Sequence, residues 1–123
     1  LVAISAVSLM VSGLGVMTVM SASVTERTHE IGIKKAVGAK NAAILGEFIA
    51  EGCLLSFYGA ILGLLAGQGI TWIACQLLSL EFQTDLTLLT AGAVMTVLLG
   101  TVFSAKPALR AAQLDPVKAL ASE

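Results

Sequence analysis

Charge is scarce in this sequence. Only 12% of its 123 residues are Asp, Glu, Lys or Arg, whereas a soluble domain usually carries about a quarter. Hydrophobic residues make up 57%, and the mean hydropathy is +0.94. This composition excludes an ordinary soluble domain and indicates a membrane protein.

Three long stretches contain no charged residue at all, namely 1–24, 52–80 and 86–105. Each is as long as the ~20 residues that an α-helix needs to cross the hydrocarbon core. We therefore predict an all-α fold, a transmembrane helix bundle of three spans. Because no ionisable side chain lies deep in a span, a proton relay or an ion-coupled carrier is not expected.

Residues for catalysis are also missing. The chain has one histidine, His29, and its two cysteines, Cys53 and Cys75, lie in or next to the second apolar stretch. No Ser-His-Asp or Cys-His set and no phosphate-binding glycine loop can be assembled from it. Glu47 and Glu51 lie one helical turn apart, but without a histidine or a third ligand they indicate a charged interfacial face. We predict that this chain is not an enzyme and binds no cofactor or metal.

The few basic residues lie in only two places. All seven fall in the connection 25–45 or in the tail 106–123, whereas the turn 79–85 has two acids and no Lys or Arg. By the positive-inside rule, the connection and the tail are predicted to be cytoplasmic. Leu1 then enters from outside. Because it is not a methionine, we expect the chain to be the carboxy-terminal part of a longer polypeptide.

The connection has the pattern of a short amphipathic helix. Glu30 and Lys34 are spaced for an ion pair with the acid first, and Ile33 and Val37 share one apolar face. Gly38 follows where a left-handed helix cap is expected. We therefore predict a cytoplasmic amphipathic coupling helix that ends at this glycine.

Two further signals concern where helices begin. Ser23 and Glu26 fit a capping box, so a helix could start afresh there, or the first span could run straight on. Asn41 is expected to cap the next helix, which places a bend at 38–41.

Glycines recur every fourth residue in the second apolar stretch, at Gly59, Gly63 and Gly67. Small residues at this spacing let a neighbouring helix approach closely. We predict helix packing at these three positions, either as static packing or as a sliding interface.

Two segments carry a resemblance to a known family. The first motif, ERTHEIGIKKAVGAKNAAILGEFIAEG, resembles the signature E-R-x-x-E-I-G-x-x-[KR]-A-x-G-A of the FtsX-like permease domain of MacB-type ABC transporters. His29 departs from the arginine or lysine that many members have. The second motif, within KPALRAAQLDPVKALASE, resembles the family's ending, in which a proline and an Ala/Arg-rich turn lead into L-D-P-x-x-A-L. The matching residues are Glu26, Arg27, Glu30, Ile31, Gly32, Lys35, Ala36, Gly38, Ala39 and Glu51, then Pro107, Arg110, Ala111, Ala112, Leu114, Asp115, Pro116, Ala119 and Leu120.

The resemblance implies the last three helices of a permease that works as a homodimer or heterodimer in the inner (cytoplasmic) membrane. It implies an ABC ATPase partner, a separate subunit or a fused domain, which holds the ATP and magnesium. Membrane lipid and an extracytoplasmic adaptor are further expected partners, and nucleic acid is not. The residues expected to couple to the ATPase are Glu26, Arg27, Glu30, Ile31, Gly32, Ile33, Lys34, Lys35, Val37, Gly38 and Ala39.

The function implied is export of a drug, a peptide or a lipid-linked cargo, driven by mechanotransmission from the ATPase. One alternative is a cell-division-type FtsX protein that regulates cell-wall hydrolases outside the cell. Another is a purely structural bundle whose basic first connection holds anionic lipid.

Overall fold

The structure, a computed structural model, describes residues 2–121. Leu1, Ser122 and Glu123, at the ends of the predicted first span and tail, lie outside the described residues. The described residues form five helices and no strand, which confirms the all-α prediction. The helices are α1 (Val2–Glu26), α2 (Thr28–Ala36), α3 (Asn41–Leu77), α4 (Leu86–Ala112) and α5 (Pro116–Ala121).

Three of the helices, α1, α3 and α4, are long and apolar enough to cross a membrane. At 37 residues, α3 is about 55 Å long, which exceeds the ~30 Å hydrocarbon core. Its surplus lies at its beginning, where Glu47 and Glu51 occur. The structure thus joins the approach segment 41–51 and the second span into one helix. We call this end of the bundle, with α2 and α5, the charged end.

Of the two alternatives left open at Ser23, the first span runs straight on: α1 continues to Glu26, and no capping box is formed there. The Arg27 amide donates to the Ser23 carbonyl and the Ile31 amide to the Arg27 carbonyl, each at 3.0 Å. The helical ladder therefore continues into α2 past one irregular residue. The predicted cap at Asn41 is also wrong by one position: Lys40 is the N-cap, without a side-chain hydrogen bond.

The turn expected at Pro107 is absent, and α4 runs through this proline to Ala112. Proline removes one amide donor but has a helical φ, and Pro107 is buried with Ala108 and Ala111 on the packed face of α4. The chain turns only after Ala112. The Asp115 side chain then accepts the Val117 amide at 3.0 Å as α5 begins.

Reciprocal contacts between glycine and serine join α3 to α4. A Cβ atom built on Gly52 would overlap Ser104, and one built on Gly100 would overlap Ser56. The Ser56 hydroxyl donates to the Gly52 carbonyl at 2.8 Å, and the Ser104 hydroxyl donates to the Thr101 carbonyl at 2.7 Å. Both hydroxyls are thus satisfied within their own helices. The two antiparallel backbones can therefore approach closely, the kind of contact that holds helices together in lipid.

The first helix packs mainly on α4, with Gly13 against the ring of Phe103. Most of its remaining surface is exposed, except for residues near its end such as Met20 and Val24. These two belong to a buried apolar cluster to which α1, α2, α3 and α4 all contribute, at the charged end. Its members are Met20, Val24, Ile31, Ile44, Phe48, Ala108 and Ala111.

The predicted packing glycines have no neighbour within the described part of the chain. Nothing lies within 4 Å of a Cβ built on Gly59, Gly63 or Gly67. The packed face of α3 is instead formed by Gly52, Ser56 and Ala60, and adjacent helix positions differ by about 100°. Gly59 lies three positions after Ser56, about 60° from it around the helix, and lines a cavity with residues of α1 and α4. Close packing of this stripe against another helix stays a prediction.

We predict that Gly100→Ala destabilises the α3–α4 hairpin, because its new methyl group must displace Ser56. Overpacking of this kind costs about 1–3 kcal/mol. Thermal unfolding in detergent micelles, followed by circular dichroism, measures the effect. Gly92→Ala, in the same helix with open space around it, is the matched control. Equal unfolding temperatures for the two variants would contradict the assigned contact.

Candidate functional site at the charged end of the bundle

The short helix α2 ends in a hydrogen-bonded left-handed cap. Gly38 has a φ of +102°. Its amide donates to the Lys35 carbonyl, and the Ala39 amide donates to the Lys34 carbonyl, both at 3.0 Å. This is the Schellman arrangement, which satisfies carbonyls at the end of a helix. The predicted glycine stop and the bend at 38–41 are confirmed.

Two ion pairs connect the α2 region to the beginning of α3. Lys34 Nζ lies 2.8 and 3.0 Å from the two carboxylate oxygens of Glu47, and Arg27 lies 3.4 Å from Glu51. The predicted Glu30–Lys34 pair is wrong, because α3 folds back beside α2 and offers Lys34 a different carboxylate. All four side chains are between 38% and 50% exposed, so each pair contributes only about 0–1 kcal/mol.

Glu47 and Glu51 therefore serve as partners of basic residues. Among the described residues, no group of three His, Cys, Asp or Glu side chains could hold a metal ion. The two cysteines are free and half-buried.

Lys35 connects α2 to the end of α4. Its ammonium group donates to the carbonyls of Ala112 and Leu114, the latter at 2.6 Å. The last carbonyls of a helix lack partners within the helix, and a cation is favourable there. Lys35 is half-buried, so these charge-assisted bonds are less weakened by water than the exposed ion pairs.

Gly32 allows α2 and α5 to touch. A Cβ built on Gly32 would lie 2.9 Å from the Cβ of Ala119, and both residues are buried. Gly32 belongs to the first motif and Ala119 to the second. The two motifs thus pack on each other, although 86 of the 123 residues lie between Gly32 and Ala119.

The predicted coupling residues separate into buried and exposed ones. Ile31 is 3% exposed and lies in the apolar cluster, whereas Ile33 is 47% and Val37 is 85% exposed. We call the exposed apolar pair Ile33 and Val37 the α2 surface. The other predicted coupling residues are exposed apart from buried Gly32 and half-buried Lys35, namely Glu26, Arg27, Glu30, Lys34, Gly38 and Ala39.

Sequence reasoning missed the contacts that hold this site in place. Gly52 with Ser56, and Gly100 with Ser104, each form a small-x-x-x-small pair, a signal that could have identified the α3–α4 interface. The bond from Lys35 to α4 has no local signal, because its acceptors are backbone carbonyls far along the chain.

Comparison with known proteins gives a consistent result. A family model described as FtsX-like permease C-terminal matches residues 2–116. The macrolide export ATP-binding/permease protein MacB of Nitrobacter winogradskyi is 42% identical over 97% of this chain, and that of Acinetobacter baylyi is 45% identical over 98%. An uncharacterized ABC transporter permease, YvrN of Bacillus subtilis, is 42% identical over 98%. The chain spans 18% of the length of either MacB protein and 29% of YvrN.

We predict that Gly38→Ala weakens the cap of α2, since a side chain at this positive φ costs about 1–2 kcal/mol. Thermal unfolding by circular dichroism measures the loss. Gly46→Ala is the matched control, because Gly46 lies within α3 with no atom close to its Cβ position. A loss of the same size in both variants would show that the cap does not depend on Gly38.

We predict that Lys35→Met loosens α5. The carbonyls of Ala112 and Leu114 lose their donor, which for buried groups costs about 1–3 kcal/mol. Hydrogen–deuterium exchange of amides 113–121 is expected to become faster. Lys40→Met, which removes an exposed cation from the adjacent bend, is expected to leave this exchange unchanged. Identical exchange rates in the two variants would contradict the conclusion that Lys35 holds α5 in place.

Proposed function

The chain belongs to the FtsX-like permease family, and from this premise we propose that it couples ATP hydrolysis by a partner ATPase to export across the membrane. The α2 surface carries the proposal, because exposed Ile33 and Val37 stand on a short helix anchored to the bundle. Such a helix suits a groove on a partner, with apolar side chains as anchors and charged ones at the rim.

The proposed direction of coupling follows from the contacts of α2. Ile31 fixes the helix in the apolar cluster, Lys34 connects it to α3, and Lys35 connects it to α4. A displacement of α2 by a docked ATPase would therefore be shared with two spans. We propose that this is the path of mechanotransmission to the opposite side of the membrane.

The positive-inside rule supports placing α2 and α5 on the cytoplasmic side of the membrane. We propose that this membrane is the inner membrane. In this proposal the ATPase holds ATP and magnesium, and this chain contributes no catalytic group. We also propose that the transporter contains a second permease copy, because a helix of that copy could pack on the exposed stripe Gly59, Gly63 and Gly67.

The names of the relatives favour export over the regulatory alternative. The two MacB proteins are named for macrolide export and for an ATP-binding part. We propose a cargo of the same broad kind, a drug, a peptide or a lipid-linked molecule.

We predict that a cysteine at Val37 can be cross-linked to the partner ATPase in the assembled transporter. Leu80→Cys is the control, because Leu80 is 61% exposed but lies in the turn that follows the far end of α3. Cross-linking is read on denaturing gels of the active complex. Absence of a Val37 cross-link, or an equal one from position 80, would refute docking at α2.

We predict that Val37→Asn reduces cargo-stimulated ATPase activity while the protein still inserts. Docking would bury the Val37 side chain, and its replacement is expected to weaken binding to the ATPase by about 1.5 kcal/mol. This corresponds to a roughly tenfold higher Kd. The purely structural alternative depends on charge alone, so it expects no change here. Ile31 cannot make this distinction, because it is buried and its replacement would disturb the bundle itself.

A further inference from the structure

A second group of basic side chains lies at the charged end, away from the α2 surface. Lys106 and Arg110 of α4 and Lys118 of α5 line one open cavity of about 780 Å³. Its apolar wall includes Val102, Ala105 and Leu109. We call this cavity the basic groove.

These three cations differ from those of the connection after α1. Arg27 and Lys34 are in ion pairs, and Lys35 holds backbone carbonyls. Within residues 2–121, by contrast, the three groove cations form no ion pair or hydrogen bond and are exposed. Of the four basic residues in the first connection, only Lys40 is likewise exposed without an ion pair or a side-chain hydrogen bond within residues 2–121.

One acid also lines the groove. Asp115 is exposed, but its carboxylate accepts the Val117 amide at 3.0 Å and so caps α5. It offsets only one of the three positive charges. The groove therefore keeps an excess of positive charge and suits an anion.

The position of the groove indicates which class of anion it can bind. Val102 is 67% exposed and Leu109 is 47% exposed. Val102 lies within the uncharged stretch 86–105, and Lys106 is the first charged residue after it. Lys106 and Arg110 are about 6 Å apart along the helix axis. The groove thus runs from the level of the acyl chains to the level of the phosphates.

We propose that the basic groove binds one anionic phospholipid of the adjacent leaflet. The phosphate lies among Lys106, Arg110 and Lys118, and an acyl chain lies along Val102 and Leu109. A free phosphate ion would leave the apolar wall unused. A docked protein would have to enter between α4 and the membrane. Basic pockets at the cytoplasmic membrane surface are a known setting for anionic head groups.

The test uses the full-length gene product with its ATPase, in phosphatidylcholine nanodiscs. These contain either a photoactivatable phosphatidylglycerol probe or the matching phosphatidylcholine probe. Labelled peptides are identified by mass spectrometry. We expect phosphatidylglycerol to label residues 102–118 more strongly than phosphatidylcholine does.

Variants establish which side chains are responsible. Each basic residue near an anionic surface is worth roughly fivefold in binding, so Lys106→Gln with Arg110→Gln and Lys118→Gln is expected to remove the preference. Lys40→Gln, a matched exposed cation outside the groove, is expected to keep it. The charge-preserving set Lys106→Arg, Arg110→Lys and Lys118→Arg is also expected to keep it. If the triple glutamine variant fails to insert, Arg110→Gln alone replaces it and is expected to weaken the labelling roughly fivefold.

Three results would overturn the proposal. Equal labelling by the two probes would show a non-selective lipid surface. Complete competition by inorganic phosphate would show a site for a free anion. Labelling that appears only when the ATPase is removed would show that the groove is a protein-docking surface. None of these readouts uses transport or ATPase activity, so export coupling through the α2 surface stands or fails separately.

Discussion

The ammonium group of Lys35 is the contact on which the charged end depends. It holds the last carbonyl of α4 and the Leu114 carbonyl just beyond it, next to the contact of Gly32 with Ala119. A helix of nine residues is too short to be stable alone in water, so α2 owes its helical form to these neighbours. Because the inner face of α2 is fixed in this way, Ile31 is buried, whereas Ile33 and Val37 of the α2 surface stay exposed. The exposed ion pairs on the other side orient α2 but contribute much less stability.

The absence of charge was enough to predict the spans, because burying a charge in lipid is costly wherever the neighbours lie. The left-handed cap at Gly38 was likewise predictable, since it depends only on local backbone geometry. The pairing of Lys34 was not predictable, because the choice between Glu30 and Glu47 depends on how α3 returns along α2. The glycine stripe was a misleading signal for packing within this chain. Spacing alone does not say which glycines of α3 are in close contact with α4, and among the described residues no atom lies within 4 Å of a Cβ built on Gly59, Gly63 or Gly67.

The basic residues show why a count of charges gives topology but not function. All seven favour the same side of the membrane, yet their contacts in the structure differ. Most of the basic residues in the connection after α1 stabilise the charged end through their contacts. Lys106, Arg110 and Lys118 instead line the open basic groove. In our proposals, protein docking and lipid binding therefore use separate surfaces at one end of the bundle. A substitution at one surface can therefore be tested while the residues of the other surface stay unchanged.

The unbroken length of α3 has a geometric consequence. Its 37 residues contain no proline, the residue that breaks or kinks a helix, and α3 runs as one helix from Asn41 to Leu77. A rod about 55 Å long that tilts by ~5° about its midpoint moves its two ends by about 2.4 Å in opposite directions, from the same rise per residue. In the proposed mechanism, a small displacement of α3 at the charged end would therefore appear at its far end as an equal displacement in the opposite direction.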